Sequence, residues 1–295
     1  MNTKLDTASV GYPITRFGVS FFPVYLAENE TPEISTEGLV IDELDAETVP
    51  GLSVRNPTEK PVLLIEGEHL VGGNQNRAVN STVLVPPLSE LEVPVSCIEQ
   101  GRWGQRREYI RNSSFTPRNV RSRVQETVNA SMRREGSRQS DQGAVWREVD
   151  RMLDRLEVTS DTGAAADAEE AYRRNGSLFA AVDDLIKLGP LPKQNGIVVT
   201  HGTRVKAIEL FSSQDILAYY WKMLVRSYML ESPDNPSPHS AERALWAIRR
   251  FGSMNQKCCP GIGMGTELRM IDQIMVGQAL MLKEAVVHAS MFTRN

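Results

Sequence analysis

The sequence predicts an α+β fold in which β-rich segments near both ends flank a helical middle. Three observations carry this reading. A two-residue alternation runs through Leu91, Val93, Val95 and Cys97, with Glu92, Pro94, Ser96 and Ile98 between them, the period of a half-buried strand. Apolar residues recur at helical spacing from Val120 to Leu156, the stripe of a helix packed on a core. A second β pattern then returns, from Ile197 to Leu210. Strands from the N- and C-terminal segments are therefore expected to share an antiparallel, β-sandwich-like sheet.

Each element follows from local chemistry. Val19 to Leu26 is an apolar run interrupted by Ser20 and Pro23, and Leu39 to Leu44 offers a second short strand. Pro50 and Asn56-Pro57 punctuate the chain before Val62-Leu63-Leu64-Ile65. Proline has no N–H, so Pro94 and Pro23 each place their strand at an edge or leave it paired on one side only. Pro117 precedes a helix carrying Val120, Val124 and Val128, and a second helix from Ser140 carries Val145, Val149, Met152, Leu153 and Leu156. Arg133 to Ser137 forms the loop between them. The Gly/Ala/Asp stretch from Ser160 to Ala168 leads into a further helix through Leu185. Ile197–Thr200 and Val205–Leu210 read as a hairpin about His201-Gly202-Thr203. Ser212-Ser213 offers an N-cap for a helix with Ile216, Leu217, Tyr220, Leu224 and Tyr228. A short helix around Ala244-Leu245-Trp246 and two segments, near Met275 and from Ala285 to Phe292, complete the chain. The whole reads as one domain, 1–295, β-rich over 14–100, helical over 117–187 and mixed over 195–295.

Composition bounds the function. A chain of 295 residues with 41% hydrophobic and 24% charged residues can bury a large core, as soluble globular proteins do. No apolar run is long enough for a membrane span, and MNTKLDTASVGYPITRFG lacks the basic start and apolar core of a secretory leader. Cys97, Cys258 and Cys259 show no framework spacing, which fits a reducing compartment, so a cytoplasmic location is expected. The net charge of −4 conceals an asymmetry: residues 1–100 hold fifteen acids against five bases, and residues 101–140 hold ten Arg against three Glu. An acidic β layer facing a basic helical layer accounts for this. Nucleic-acid binding needs a sustained basic surface and is not the expected role.

The residues able to carry chemistry concentrate between Val54 and Trp103. Glu66-Gly67-Glu68-His69-Leu70-Val71-Gly72-Gly73-Asn74-Gln75-Asn76-Arg77 brings two carboxylates, an imidazole, three amides and a guanidinium together among three glycines. Glycine lets backbone approach a ligand closely, and an arginine in such a turn suits a carboxylate or phosphate. Glu66 and Glu68, two apart, would share a strand face, the spacing of an acid/base or metal-binding pair. The competing reading is a solvated hairpin turn. A second cluster, Cys97-Ile98-Glu99-Gln100-Gly101-Arg102-Trp103, ends a strand. There Trp103 could stack on a base or sugar while Arg102 holds phosphate, or Trp103 could anchor a corner while Arg102 pairs with Glu99. Cys97 falls on the apolar row, the position of an inert buried thiol.

Other candidates carry less. His201, His239 and His288 have no partner at metal-ligand spacing, and Cys258-Cys259 has no CxxC mate. Gly261-Ile262-Gly263-Met264-Gly265 is not the dinucleotide fingerprint, since no clear strand feeds it and its spacing differs.

The string PVLLIEGEHLVGGNQNR followed by STVLVPPLSELEVPVSCIEQGRW resembles the signature of a prokaryotic family, a domain of unknown function. That family is associated with ADP-ribosylglycohydrolases and the rhodanese–phosphatase superfamily. The likeness extends through QGAVW (Gln142 to Trp146) and ELF (Glu209 to Phe211). It implies a context of NAD-derived or ADP-ribose-like compounds and adds weight to Glu66, Glu68, Gln75, Asn76, Arg77, Glu99, Gln100, Arg102 and Trp103. A looser likeness to cupins rests on the rhythm of the same strands. Cupins bind metal through a His-x-His and a later Glu and His, and here only His69 stands near the expected place.

The expected function is binding, with or without processing, of an anionic nucleotide- or ADP-ribose-like small molecule. Gln75, Asn76, Arg77, Gln100, Arg102 and Trp103 would hold it, with Glu66, Glu68 and Glu99 as catalytic candidates. Glu66, Glu68 and His69 are the weak metal candidates, and no cofactor is specified. The alternatives are a non-catalytic structural or regulatory assembly protein and an RNA-binding protein using Arg102 to Arg123. No membrane partner is expected, and homo-oligomerisation is left open.

Overall fold

A computed structural model describes residues 5–27, 29–44, 50–102, 108–233 and 238–294, with Asn112 and Ser113 described by their backbone alone. The fold is α+β, with antiparallel sheets. The chain divides into two compact units: Met1–Pro32, Asn175–Cys259 and Thr266–Asn295 form one, and Glu33–Arg174 with Pro260–Gly265 form the other.

In the first unit, β1 (Ser9–Val10), β2 (Ile14–Arg16) and β3 (Val19–Tyr25) join β12 (Gly196–His201), β13 (Arg204–Phe211), β14 (Gln256–Pro260), β15 (Thr266–Ile271), β16 (Met275–Leu282) and β17 (Ala285–Thr293). The order is β1-β3-β12-β13-β17-β16-β15-β14, with β2 also paired to β3. N- and C-terminal strands do share a sheet. Pro23 sits where β3 passes from its pairing with β1 to its pairing with β2. There Gly11 N–H donates to the Pro23 carbonyl, so the missing donor falls in a gap between neighbours.

Strand alternation divides the sheet's residues between two helices. Phe22, Ile208, Leu210, Ala289 and Met291 join a core cluster with Ala244, Ala247, Ile248 and Phe251 of the helix Ala241–Ser253. The opposite face meets the helix Gln214–Met229: Trp221 lies against Phe21, Tyr220 stacks on Phe211, and Tyr228 Oη donates to Glu209. Ser213 caps that helix by accepting from Ile216 N–H, and Trp221 Nε1 donates to the Leu185 carbonyl at 2.9 Å.

The second unit contains β4 (Val40–Glu43), β5 (Gly51–Asn56), β6 (Val62–Leu64), β7 (Glu68–Val71), β8 (Arg77–Val79), β9 (Val83–Val85), β10 (Ser89–Cys97) and β11 (Ile110–Phe115). Six of them form a sheet in the order β11-β7-β8-β10-β5-β4, and β6 pairs with β9. Ile41, Leu52, Val54, Leu70, Val79, Val93 and Val95 fill its core. β10 carries the predicted alternation only in part: Val93 and Val95 are buried and Glu92 is exposed, but beyond Pro94 the alternation is lost, with Ser96, Cys97 and Ile98 all buried. Its pairing passes from β5 to β8 just after Pro94, where a missing N–H costs least. Helices α1 (Arg118–Arg134) and α2 (Gln142–Arg155) follow. Asp141 caps α2 by accepting from Ala144 N–H at 2.9 Å. Among the described residues, no helix is long and apolar enough to cross a membrane.

Candidate functional site

The site is built on β7, β8 and the end of β10. Ile65 and Glu68 close a turn through Glu68 N–H to Ile65 C=O at 3.2 Å, and Gly67 takes φ +81° at its corner. That turn corrects one expectation. Glu66 and Glu68 do not share the face of one strand, because the chain reverses between them, and each carboxylate meets a different arginine.

Glu66 is fully buried and is gripped by Arg121 of α1, equally buried, through Nη2 to Oε1 and Nε to Oε2, the latter at 3.3 Å. The Arg121 guanidinium also lies 4.5 Å from the centroid of the Phe115 ring, a cation–π contact that helps offset desolvation. Gly67 has two duties here: its φ is left-handed, and a methyl group on it would collide with the Arg121 side chain. Glu68 accepts two bonds from Arg111 of β11, Nε at 2.5 Å and Nη2 at 2.8 Å. Arg111 donates further to the carbonyls of Thr36 and Leu63. Such bidentate pairs are strong and geometrically specific, and removing one partner strands a buried charge.

Glu99 makes the third pair. Its Oε2 accepts from Arg102 Nε at 2.7 Å and Asn76 N–H at 3.2 Å, and its Oε1 accepts from Thr162 Oγ1 at 3.1 Å. Arg102 Nη2 reaches Asn76 Oδ1 at 2.9 Å and the Gly72 carbonyl at 3.2 Å, and Nη1 donates to the Gly73 carbonyl. The structure therefore brings Glu99, Asn76 and Arg102 together. Gln75 and Arg77 lie in the adjoining buried layer: Arg77 Nη1 donates to Gln75 Oε1 at 2.9 Å, and Cys97 Sγ sits 3.0 Å from the same oxygen. The side chain of Gln100 is exposed, and only its carbonyl enters the network, accepting from Gln75 Nε2. Trp103 lies outside the described residues.

Arg77 differs from the other arginines. It is 2% exposed, its Nε has no hydrogen-bond partner, and among the described residues no carboxylate forms an ion pair with it. Its neighbour Tyr109 donates to Glu43 at 2.8 Å and to the Gln75 carbonyl at 3.1 Å. Burial holds the Tyr109 phenol protonated well above its ordinary range, against the opposing pull of the Arg77 charge. Tyr109 also explains the turn: a methyl group on Gly73 would overlap its ring. That glycine makes room for a protein side chain.

His69 is buried, with Nδ1 2.9 Å from Ser114 Oγ and Nε2 without a partner. Burial pushes its imidazole down to about 3. Among the described residues no three His, Cys, Asp or Glu side chains group closely enough to hold a metal ion. His288 lies 3.2 Å from Glu209 Oε2 in the first unit, and His239 packs edge-on to Phe22.

Sequence reasoning missed Arg111, Arg121, Glu43 and Tyr109. The signal was the excess of arginine over 101–140. Gln142 opens the QGAVW stretch. Its side chain bonds both backbone groups of Cys97, accepting from N–H at 2.8 Å and donating to C=O at 2.7 Å, as a neighbouring strand would.

A family model described as the ARG and Rhodanese-Phosphatase-superfamily-associated Protein (ARPP-1) domain matches residues 7–292. No curated protein and no solved structure matches the chain.

Proposed function

The chain belongs to the family of ARG and Rhodanese-Phosphatase-superfamily-associated Proteins, and from that premise we propose that it is a non-catalytic binding or assembly protein whose Glu/Arg/amide cluster is the structural hub of its second unit. The observation carrying this reading is that Glu66 and Glu68 engage both carboxylate oxygens with buried or nearly buried arginines. A general base must lie within reach of the proton it takes, and a carboxylate closed off by a guanidinium inside the fold lacks that access. The arginine partners come from β11 and α1, so the pairs tie β7 and the turn before it to β11 and α1.

A second reading rests on Arg77. A buried guanidinium with no carboxylate partner among the described residues suits an anionic small molecule, of the nucleotide- or ADP-ribose-like class, entering beside Gln75 and Asn76.

Thermal and urea unfolding separate the two. Under the hub reading, Arg121→Ala strands the Glu66 charge and costs about 3–5 kcal/mol. The double replacement Glu66→Leu/Arg121→Met removes both charges and restores most of that loss, since apolar substitution of a whole buried pair is close to neutral. The hub reading fails if Arg121→Ala unfolds at the wild-type temperature. The Arg77 reading requires a thermal shift with ADP-ribose that Arg77→Ala abolishes while the fold survives.

A further inference from the structure

A cavity of about 520 Å³ opens in the first unit and shares no residue with the Glu/Arg/amide cluster. It forms where the turn after β12, the first residues of β13, the start of the helix Ala241–Ser253, the turn before β16 and the end of β17 converge. Its floor is apolar: Val205 and Met275 are buried, and Thr293 Oγ1 donates to the Val205 carbonyl at 3.0 Å. Trp246 and Ile274, about half exposed at 46% and 49%, supply apolar walls. Arg204, Lys206, Arg243 and Arg294 supply cations, and among the described residues no carboxylate lines it.

The acid of the adjoining turn is committed elsewhere. Asp272 pairs with Arg250 at 2.6 Å and accepts from the backbone N–H groups of Ile274 and Met275. Among the described residues, neither Arg204 nor Arg243 has an ion-pair partner. A concave site with an apolar floor, an accessible indole and converging cations is the composition of a small-molecule pocket, and its volume lies in that range. Arg204 and Arg243 carry like charges that an anion would neutralise. Arginine forks favour phosphate oxygens, and an exposed indole offers a face on which a planar ring can stack.

We propose that this cavity binds a phosphate ester of a planar ring, with Arg204 and Arg243 on the phosphate and Trp246 against the ring. The site is separate from the hub cluster and stands whether or not Arg77 holds a ligand.

The test is a titration of the full chain with ADP at low ionic strength, followed by tryptophan fluorescence and by calorimetry. Saturable quenching is expected, and it disappears in Trp246→Ala. Arg204→Ala and Arg243→Ala, both at exposed positions that leave the core intact, should each weaken binding about tenfold, the loss of one charge-assisted contact. Pyrophosphate should compete without quenching, and adenosine should bind far more weakly than ADP. Absence of saturable binding at millimolar ADP overturns the proposal. So does binding unchanged in Arg204→Ala and Arg243→Ala, or binding lost instead in Arg77→Ala, which would place the ligand in the second unit. Because the hub is tested by unfolding of Arg121→Ala, failure of either idea leaves the other standing.

Discussion

At His69 burial decides against a charge. The imidazole keeps its contact with Ser114, and burial lowers its proton affinity from the ordinary 6.5 to about 3. The unfolded chain therefore takes up a proton near pH 6.5 that the folded chain refuses until about pH 3. Stability is complete above the unfolded value and falls as pH drops through the interval, by up to about 1.4 kcal/mol per pH unit. Urea unfolding should show a loss of about 2 kcal/mol between roughly pH 8 and pH 5 that is absent from His69→Gln. Equal pH dependence in both proteins would show that His69 is not kept neutral. Legibility at this scale was uneven. Cys97 was readable as a buried thiol from strand parity alone, and it is buried. The glycines at 67 and 73 were readable as places of close approach, but what approaches is Arg121 and Tyr109, and no local pattern names a partner 54 or 36 positions away.

Among the elements, β10 and α2 show how a side chain completes a sheet. β10 is paired with β5 only as far as Pro94 and with β8 through Cys97, and Gln142, the first residue of α2, supplies a donor and an acceptor to the backbone of Cys97. Gln142→Ala should lower stability by about 1–3 kcal/mol, because both groups of a buried peptide lose their partners. Hydrogen exchange at the Cys97 and Ile98 amides separates outcomes: faster exchange at Cys97 alone is expected, and unchanged exchange would remove Gln142 from this role. Both helices were legible from their valine and leucine spacing, as was the β12–β13 hairpin. β7, β8 and β9 were not, since three or four residues are too short to display a period, and β11 was not, because Arg111 to Ser114 interrupts its apolar ends with four polar residues. The buried side of α1 was also hidden. Arg118, Asn119, Arg121, Ser122, Gln125 and Asn129 are all buried, and a polar face under cover has the pattern of a solvated one.

Across the whole molecule, the charge asymmetry has a direct structural use. Acids of the first hundred residues meet arginines of the following segment in the Glu66–Arg121, Glu68–Arg111 and Glu99–Arg102 pairs. The first two are shielded from solvent ions, and buried pairs are screened far less than exposed ones. Thermal melting should therefore shift by only a few degrees between low salt and about 0.5 M NaCl, whereas a drop of tens of degrees would mean that stability rests on surface charge. The α+β class was readable from the order of patterns along the chain. The division into two units was less so, because one continuous β-rich stretch supplies β1–β3 to the first unit and β4–β10 to the second, with no compositional break between them.

The hub also sets a timetable for biosynthesis. Arg111 follows Glu68 by 43 residues and Arg121 follows Glu66 by 55, so both acids emerge from the ribosome well before the groups that neutralise them. Until then the nascent chain carries fifteen acids against five bases, and mutual repulsion keeps its strands hydrated and apart. Burial of those glutamates becomes favourable only when the arginine-rich stretch arrives.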